Sequence, residues 1–571
     1  MMEIEEVTVR PRGGGAAVLD GVSARFRPRA MNAVVGPSGC GKTTLVRAAV
    51  GARAMPVEGR FLLDGVEMRG GGDRVGRVGY VPQFCVAHAE LTVEESIRYS
   101  LRLLDWPESG HGARLERLLA ETGLEALRDR RVGRLSGGQL RRMALALELV
   151  AEPELLLCDE VTAGLDPESE ESILDLIRSL VDGYGKTTVN VIHNLHHLHR
   201  FDWILVLDGG RKIFEGDFPA FRSWFGLEEP VRLFRLLGES RDSADWPGRW
   251  RDREAYSEPE GRGPAPPPEP EREPPPQAEP GGGTARPAGV VRQAGTLLRR
   301  RGRLFLRDRG YLALAAAITV GFPLLVVVFA LDGLPQLTRF ALDSGLGGLD
   351  RLQGELAFAR EAADLGSLVS SLILFQVVLL TLTGSGNGAH EIAPEADLFF
   401  QESLRGLRPG PYCFEKIVFT GGIAAVQGFA MAVIVKTVVG FPGSWPVQAG
   451  ALVLVSLALG WLALGFSAWM KSGEKASLLA VYVVGFQLPF SGIVLTLPDP
   501  FAEIVRLVIS TYWGWAAYLG AFRETGLYDA VVFLNGETAP PVGLSLLVLS
   551  LHALLAILLV FSGVGRRRGF A

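Results

Sequence analysis

The most constraining feature of this 571-residue chain is a succession of apolar blocks in its second half. At about 20 residues each, these blocks are long enough to cross a lipid bilayer as helices. One such block alone is compatible with a buried core helix, but six in succession with few or no charges predict a membrane domain. The six blocks lie at about 311–331, 366–386, 417–439, 448–469, 477–497 and 542–562.

Basic residues predict how these blocks are oriented. The segment "RRRGRLFLRDRGY" precedes the first block and "RRR" at 566–568 follows the last. Arg405 and Arg408 lie between blocks two and three, and Lys471 and Lys475 lie between blocks four and five. The alternate loops, 332–364 and 498–541, are acidic on balance. Because basic loops stay on the cytosolic side, we expect both termini in the cytosol.

The first half has the composition of a different kind of domain. Residues 1–225 mix charged and apolar residues as a soluble α/β domain does. Residues 226–290 are predicted to be a linker, since "GPAPPPEPEREPPPQAEPGGG" at 263–283 offers almost nothing to bury. A docking motif for a proline-binding domain is the alternative interpretation of that stretch. Residues 311–571 are expected to form the all-α membrane domain.

Charge and cysteine usage exclude several functional classes. The net charge of −5 gives no basic footprint for nucleic acid. The four cysteines show no paired spacing, so neither a disulfide framework nor a CxxC metal site is expected. The N-terminal "MMEIEEVTVR" has no apolar core of a signal peptide, so no cleavable secretion signal is expected. The cysteines are Cys40, Cys85, Cys158 and Cys413.

A phosphate-binding loop lies between a predicted strand and a predicted helix. The stretch "GPSGCGKTT" at 36–44 matches G-x-x-x-x-G-K-[ST] in full. Such a loop lets backbone N–H groups approach phosphates, Lys42 reach the β- and γ-phosphates, and Thr43 offer a hydroxyl to Mg²⁺. A Gly-rich turn without a ligand is the alternative. The expected ATP-binding residues are Gly36, Pro37, Ser38, Gly39, Cys40, Gly41, Lys42, Thr43 and Thr44.

Two further predicted strands end in residues that fit this site. "ELLLCDE" places Asp159 and Glu160 at a strand end, where Asp159 is expected to hold Mg²⁺ and Glu160 to polarise an attacking water. "TTVNVIH" ends at His193, within reach of a γ-phosphate. Three more histidines follow, His196, His197 and His199. A metal site there is the alternative interpretation, but no Cys or carboxylate is interleaved and a helix would spread these side chains.

A second anion-binding feature, "RLSGGQLRRMALAL" at 134–147, is a Ser-Gly-Gly turn followed by a basic helix. Together with "DEVTAGLD" and the strand-end histidine, it resembles the ATP-binding cassette family over roughly residues 3–225. The resemblance implies that two cassettes dimerise head to tail. The Ser-Gly-Gly turn of one chain then closes over ATP bound to the other chain's phosphate loop. The residues expected to do so are Ser136, Gly137, Gly138 and Gln139.

The resemblance also implies individual roles. Gln83 in "GYVPQF" matches the glutamine that senses the metal, and Asp166 matches the aspartate that crosses the dimer interface. Glu160 matches the catalytic base, and His193 the switch histidine. Two departures stand out. Val161 replaces the proline common in the family, and "EEVTVRPRGGG" lacks the aromatic residue that usually stacks on adenine.

The order of cassette and membrane domain resembles the G (White) subfamily and its bacterial ABC-2-type relatives. Similar patches are the basic segment before block one, "FFQESLRGLRPGPYCFEKIVFTGGIAAVQ" at 399–427 and "ISTYWGWAAYL" at 509–519. By this resemblance, residues 291–310 are expected to form an amphipathic connecting helix that leads into the first span. The external loop 498–541 lacks the cysteines common in eukaryotic members, so a bacterial plasma-membrane protein is expected.

Polar residues within the apolar blocks are candidates for contact with a substrate. Hydrogen bonding between helices is the alternative for each of them. In the resembling family, spans two and five line a central cavity, so Gln376 and Gln487 are the leading candidates and Gln427 a further one. His552 lies near the middle of block six. Lys436 is expected to extend toward the membrane surface, and Pro323 and Pro489 to kink their helices.

The leading functional hypothesis is a half-transporter that uses ATP and Mg²⁺ to export a lipid-like or amphipathic substrate. A homodimer would have two competent sites, and a heterodimer stays open. The alternative is an ATPase that signals across the membrane or acts on an envelope partner without moving a solute. A soluble cassette ATPase acting on ribosomes or DNA is disfavoured by the six apolar blocks.

Overall fold

The protein is described here by a computed structural model that divides into two compact units. The first unit comprises Met1–Thr296 and Asp397–Arg408, and the second comprises Leu297–Ala396 and Pro409–Arg567. The proline-rich stretch at 263–283 lies outside the described residues. The structure describes all residues except 12, 52–54, 69–74, 240–244, 257–284, 332–347, 494–497, 499–500 and 571.

The first unit contains two β-sheets. Their strands are β1 Met2–Val9, β2 Leu19–Phe26, β3 Met31–Val35, β4 Val57–Leu63, β5 Val66–Glu67, β6 Val78–Val81, β7 Leu155–Asp159, β8 Thr187–Val191, β9 Trp203–Asp208 and β10 Arg211–Gly216. The larger sheet has six strands in the order β10-β9-β3-β8-β7-β6, parallel except for the antiparallel β9–β10 pair. The smaller, antiparallel sheet has the order β2-β1-β4-β5.

Three of the parallel strands are buried along their whole length, as strands of a sheet covered on both faces are. Strands β3, β6 and β7 have every residue buried, which explains why "ELLLCDE" reads as a continuous apolar run. The predicted α/β class of this unit is therefore confirmed. Its helices are α1 Lys42–Ala49, α2 Val93–Arg102, α3 His111–Thr122, α4 Gly137–Leu149, α5 Pro167–Tyr184, α6 Phe218–Phe225, α7 Leu233–Glu239 and α8 Trp246–Tyr256.

The first part of the predicted linker is folded. Helices α7 and α8 bury Leu233 and Leu237, and Trp246 and Trp250, in the core of the first unit. Each pair is spaced four residues apart, so both side chains lie on one face of their helix. These two short helices were not predicted because the composition of 226–290 as a whole is polar and rich in proline.

The second unit is helical, as predicted for the membrane domain. The remaining helices are α9 Val290–Arg307, α10 Arg309–Val328, α11 Gly348–Ala389, α12 Ala396–Leu404, α13 Pro409–Val439, α14 Trp445–Trp469, α15 Gly473–Gln487, α16 Phe501–Arg506, α17 Ser510–Gly520, α18 Gly526–Asn535 and α19 Val542–Phe570. From Asp397 onward α12 belongs to the first unit. Within the second unit, α11 packs against α14, α17 and α18, and α13 packs against α10 and α14.

Five helices in the described part of the chain are long and apolar enough to cross a membrane: Arg309–Val328, Glu355–Ala389, Pro409–Val439, Trp445–Trp469 and Val542–Arg567. The fifth apolar block, 477–497, differs from its prediction. Its helix α15 has 15 residues and ends at Gln487. Pro489 starts a separate short 3₁₀ turn rather than kinking a long helix, because proline lacks the N–H that would continue it. Pro323 lies inside α10. A count of six spans therefore stays a prediction.

A buried charge cluster in the second unit was not predicted from the sequence. The Lys416 Nζ atom lies 2.6 Å from Glu395 Oε2, 3.5 Å from Glu391 Oε2 and 3.8 Å from Glu415 Oε2. Arg301 of α9 pairs with Glu391 as well. Charges buried this deeply are retained only where they are paired, and here each basic group has acidic partners.

Candidate functional site

The phosphate-binding loop connects β3 to α1. Its glycines are required by close packing: a Cβ atom at Gly36 would lie 2.2 Å from the Leu207 carbonyl oxygen. Gly41 has a φ of 101°, which side chains other than glycine rarely adopt. The Lys42 Nζ atom donates to the carbonyl oxygens of Gly36 at 2.7 Å and Pro37 at 3.0 Å. Lys42 therefore holds the loop in its curved form and places a positive charge inside the curve.

A cleft of about 390 Å³ opens over this loop, and its lining is polar and glycine-rich. Cys40 does not line the cleft. It is buried, and burial raises the pKa of its thiol, so it serves packing rather than nucleophilic chemistry. The residues that line the cleft are Val18, Ser38, Gly39, Gly41, Lys42, Thr43, Thr44 and Glu160.

Asp159 and Glu160 lie at the carboxyl end of β7, beside the loop. Thr43 Oγ1 donates to Asp159 Oδ1 at 2.8 Å, and Gln83 Nε2 donates to Glu160 Oε2 at 3.2 Å. The structure thus brings together four residues that the sequence placed in one site. Hydroxyl, carboxylate and amide oxygens are the donors that Mg²⁺ prefers, so these side chains fit that ion.

Glu160 has an unusual backbone conformation. Its φ of 51° is in the left-handed region, although it is not a glycine. Such conformations cost of the order of 1–3 kcal/mol and concentrate at functional sites. Here the turn at the strand end directs the carboxylate into the cleft rather than along the sheet.

His193 lies beside the loop as predicted, with its Nε2 atom 3.2 Å from Ser38 Oγ. The ring of Phe234 on α7 contacts it edge-on, with 5.8 Å between ring centroids. The other histidines lie on the 3₁₀ turn Leu195–Arg200, where His197 Nε2 is 4.0 Å from Glu170 Oε2. Among the described residues, no three His, Cys, Asp or Glu side chains are grouped to hold a metal ion.

The Ser-Gly-Gly turn starts α4. Ser136 caps the helix: its backbone N–H donates to Gln139 Oε1 at 3.0 Å and its Oγ accepts from the Gln139 N–H at 3.5 Å. Gly137 and Gly138 form the first turn, and Ser136 and Gly137 are exposed. Helix α4 therefore presents its positive N-terminal end to the surface, where an anion can approach it.

Asp166 caps α5. Its Oδ1 accepts from the Ser169 N–H at 2.9 Å, and this backbone hydrogen bond lowers the pKa of its carboxyl group. A cap of this kind fixes the turn between β7 and α5, directly after Glu160.

The polar residues singled out in the apolar blocks are buried within the second unit. Gln376 Nε2 donates to the Leu372 carbonyl at 3.2 Å, and Gln427 Oε1 accepts from Asn387 Nδ2 at 3.1 Å. Gln487 Oε1 accepts from the Thr511 N–H at 3.2 Å. The Gln427 and Gln487 contacts join different helices, which is the role expected of polar side chains between packed helices, whereas the Gln376 contact lies within α11.

Two further polar groups of the second unit have partners as well. His552 Nδ1 lies 2.9 Å from Ser510 Oγ, and its Nε2 lies 2.8 Å from the Leu507 carbonyl oxygen. Lys436 Nζ donates to Gln448 Oε1 at 2.9 Å. These contacts tie α13 to α14, and α17 to α19.

Two residues at the nucleotide site were not predicted from the sequence. Tyr80 donates its hydroxyl to Asp159 Oδ2 at 3.1 Å, and Arg47 Nε lies 3.9 Å from the same oxygen. Tyr80 stands three residues before Gln83 on a fully buried strand. A tyrosine hydroxyl on a buried strand needs a polar partner. The tyrosine in "GYVPQF" could therefore have indicated a polar contact close to Gln83.

Comparison with known proteins agrees with this architecture. Residues 19–163 match the model of the ABC transporter family, and residues 292–519 match that of the ABC-2 type transporter. The ABC transporter ATP-binding/permease protein Rv1747 of Mycobacterium tuberculosis is 29% identical over 542 residues, which is 92% of this chain and 58% of that protein. This chain thus spans a little over half the length of that relative.

Two further proteins are similar to part of this chain. The methionine import ATP-binding protein MetN of Caulobacter vibrioides is 36% identical over 222 residues, covering 38% of this chain and 67% of that protein. The solved structure of cbiO1 from Clostridium perfringens, part of the ABC transporter complex cbiONQ, is 27% identical with a TM-score of 0.37 and covers 41% of this chain and 94% of that one. The chain belongs to the ABC transporter family, with an ATP-binding cassette followed by an ABC-2 type membrane domain.

Proposed function

We propose that this chain is a half-transporter that couples ATP hydrolysis to movement of a substrate across a membrane. The observation that carries the proposal is the convergence of Lys42, Thr43 and Glu160 on one cleft. Asp159 and Gln83 are hydrogen-bonded to Thr43 and Glu160 beside it. The fusion of that cassette to a domain with five membrane-length helices supports transport as the use of the ATP.

The proposed reaction is an in-line attack of water on the γ-phosphorus of ATP. Glu160 accepts a proton from the water, the new P–O bond forms, and the bond to the β,γ-bridging oxygen breaks to release ADP. Lys42 and the loop N–H groups neutralise phosphate charge, and His193 contacts the γ-phosphate. Thr43, Asp159 and Gln83 would hold Mg²⁺, which supplies electrostatic stabilisation of the phosphate oxygens when bound.

The working unit in this proposal is a dimer with two composite sites. The support is the exposed Ser-Gly-Gly turn at the N-terminus of α4, which offers backbone N–H groups and a hydroxyl. Ser136, Gly137, Gly138 and Gln139 would contact the γ-phosphate held by the partner chain, and Asp166 would lie at the interface. A homodimer is proposed because one chain carries every element of the site.

The proposed substrate is lipid-like or amphipathic, and the proposed direction is export. Both rest on the resemblance to the G subfamily and its bacterial relatives in the order and layout of domains. Gln376, Gln487 and Gln427 are proposed to contribute to the substrate path after rearrangement of the contacts described above. The proposed location is a bacterial plasma membrane with six spans and both termini in the cytosol.

Vesicle transport tests this proposal. The full chain is reconstituted into liposomes, and ATP is added outside to drive only those chains whose cassettes face outward. Movement of fluorescent phospholipids, sterols and amphipathic dyes is then measured, with Glu160→Gln as the control. We expect ATP-dependent movement of one chemical class that the control lacks. ATP hydrolysis without movement of any probe would favour the signalling alternative.

A further inference from the structure

Residues 397–408, which include most of α12, belong to the first unit. In sequence they are bracketed by the two long apolar helices α11 and α13. Phe400 and Leu404 pack on the apolar cluster that contains Val78 and Tyr80. Three polar side chains are buried beside them, with exposures of 2% for Gln401, 3% for Glu402 and 7% for Arg405.

The Arg405 side chain forms a buried ion pair with Glu148 at the end of α4. Its Nε and Nη2 atoms lie 2.9 Å and 2.8 Å from Glu148 Oε1, and Glu148 is 2% exposed. With its amide nitrogen directed toward them, Gln401 donates to Glu148 Oε1 at 3.2 Å and to the Tyr80 carbonyl at 3.3 Å. Because a buried ion pair is costly to separate, residues 397–408 and Glu148 are expected to move together.

Glu148 in turn holds the backbone of Tyr80. The Tyr80 N–H donates to Glu148 Oε2 at 3.2 Å, using the carboxylate oxygen that Arg405 leaves free. At the other end of the same residue, the hydroxyl donates to Asp159 Oδ2 at 3.1 Å. The second oxygen of Asp159 accepts from Thr43. Hydrogen bonds therefore connect Arg405 to Glu148, Glu148 to the backbone of Tyr80, and the Tyr80 hydroxyl to the carboxylate at the predicted Mg²⁺ site.

The environment of Tyr80 keeps its hydroxyl a donor. Tyr80 is 2% exposed. Its hydroxyl oxygen contacts Asp159 Oδ2, which accepts when the carboxylate is ionised, and Arg47 Nε at 3.4 Å, which can only donate. The Tyr80 proton is therefore directed at Asp159.

We propose that Tyr80 is a positioning residue that orients the Asp159 carboxylate for Mg²⁺, and that residues 397–408 control this orientation through Glu148. This inference rests on the proposed function, since it assigns Asp159 to the metal. It adds a route to the site that is separate from the Gln83–Glu160 contact. Partners that orient a metal-binding carboxylate typically change metal affinity 10–100-fold when they are removed.

Binding of Mn²⁺, as a paramagnetic substitute for Mg²⁺, tests the role of Tyr80. The full chain in lipid nanodiscs carries Glu160→Gln to prevent turnover, and bound Mn²⁺ is measured by electron paramagnetic resonance with saturating ATP. Tyr80→Phe removes one oxygen atom and is expected to weaken Mn²⁺ binding about 10-fold. Tyr99→Phe, at a buried tyrosine on α2, is the matched control and is expected to leave the affinity unchanged.

ATP binding in the presence of a chelator shows that each variant is folded, since it requires the cleft but no metal. An unchanged Mn²⁺ affinity in a Tyr80→Phe chain that binds ATP would overturn the positioning role. Because no turnover is measured, a wild-type protein that fails to transport would contradict the proposed function without altering this result.

A double-mutant cycle tests the second half of the proposal. Arg405→Met, paired with Glu148→Gln to avoid an unpaired buried charge, is expected to weaken Mn²⁺ binding severalfold in the Tyr80 background. In a chain that carries Tyr80→Phe, the same pair of changes is expected to have little effect on Mn²⁺ affinity. The hydrogen bond from the Tyr80 hydroxyl to Asp159, through which the pair would act, is already absent there. Equal effects in both backgrounds would overturn control by residues 397–408.

Discussion

At the scale of single residues, local motifs predicted part of the nucleotide site and missed the rest for a clear reason. The phosphate loop and the Asp159–Glu160 pair are contiguous patterns whose chemistry follows from residue type and spacing. Tyr80 and Asp159, by contrast, are 79 positions apart, and Arg405 and Glu148 are 257 apart. No local sequence pattern encodes contacts between residues so far apart. The left-handed conformation of Glu160 is not encoded by a local pattern either.

The Cys85 thiol gives a prediction about pH. Burial raises its pKa to about 11, so its reactive thiolate is scarce at neutral pH. Below that pKa the thiolate fraction grows about tenfold per pH unit, so alkylation of Cys85 in the native chain should climb steadily from pH 7 to pH 10. Site-resolved mass spectrometry after brief iodoacetamide treatment measures this rate. A plateau at or below pH 9 would show an ordinary thiol instead.

At the scale of elements, composition predicted which segments form membrane-length helices more accurately than it predicted where each helix ends. Helices α10, α11, α13, α14 and α19 fall on five of the six apolar blocks. The fifth block was predicted to be one continuous helix, but its helix ends at Gln487. Pro489 interrupts the helical hydrogen bonding within an otherwise apolar run. Helices α7 and α8 were missed because an average over 226–290 is dominated by proline and charge.

Contact between α11 and α14 depends on glycines that let the two backbones approach. A Cβ atom at Gly388 would lie 2.2 Å from the Gly460 carbonyl oxygen, whereas one at Gly386 on the same helix would meet nothing within 4 Å. Close helix contacts of this kind are typical of membrane domains.

Gly388→Ala is therefore expected to destabilise the protein, and Gly386→Ala to be neutral or slightly stabilising. Overpacking of a tight contact costs about 1–3 kcal/mol, while alanine is the better helix former by roughly 1 kcal/mol. Thermal unfolding of the purified chain in detergent measures the difference. Equal unfolding temperatures for both variants would contradict the close approach of these helices.

At the scale of the whole molecule, the proposed dimer makes a prediction about mixed chains. Lys42→Ala disables the phosphate loop of its chain, and Ser136→Arg obstructs the Ser-Gly-Gly turn of its chain. A homodimer of either variant has two defective composite sites. A mixed dimer has one site in which both contributing elements are intact, because the interface has twofold symmetry.

Mixed dimers are isolated with two different affinity tags, and ATP hydrolysis is followed in a single turnover. We expect the mixture to hydrolyse about half the ATP of a wild-type dimer, one site in two, while each homodimer is inactive. Doubly tagged wild-type dimers serve as the reference. Mixed dimers as inactive as the two parents would argue against sites shared between chains.

In the proposed mechanism, Glu160 makes the cassette a working ATPase, and ATP turnover by the full chain in lipid nanodiscs tests this role most directly. Glu160→Gln keeps the shape of the side chain but removes the proton acceptor. It is predicted to lower turnover at least about 10²-fold, with ATP affinity retained, because a general base typically contributes 10²–10⁴-fold. Turnover near that of the wild type would contradict the assignment of Glu160 and the mechanism built on it.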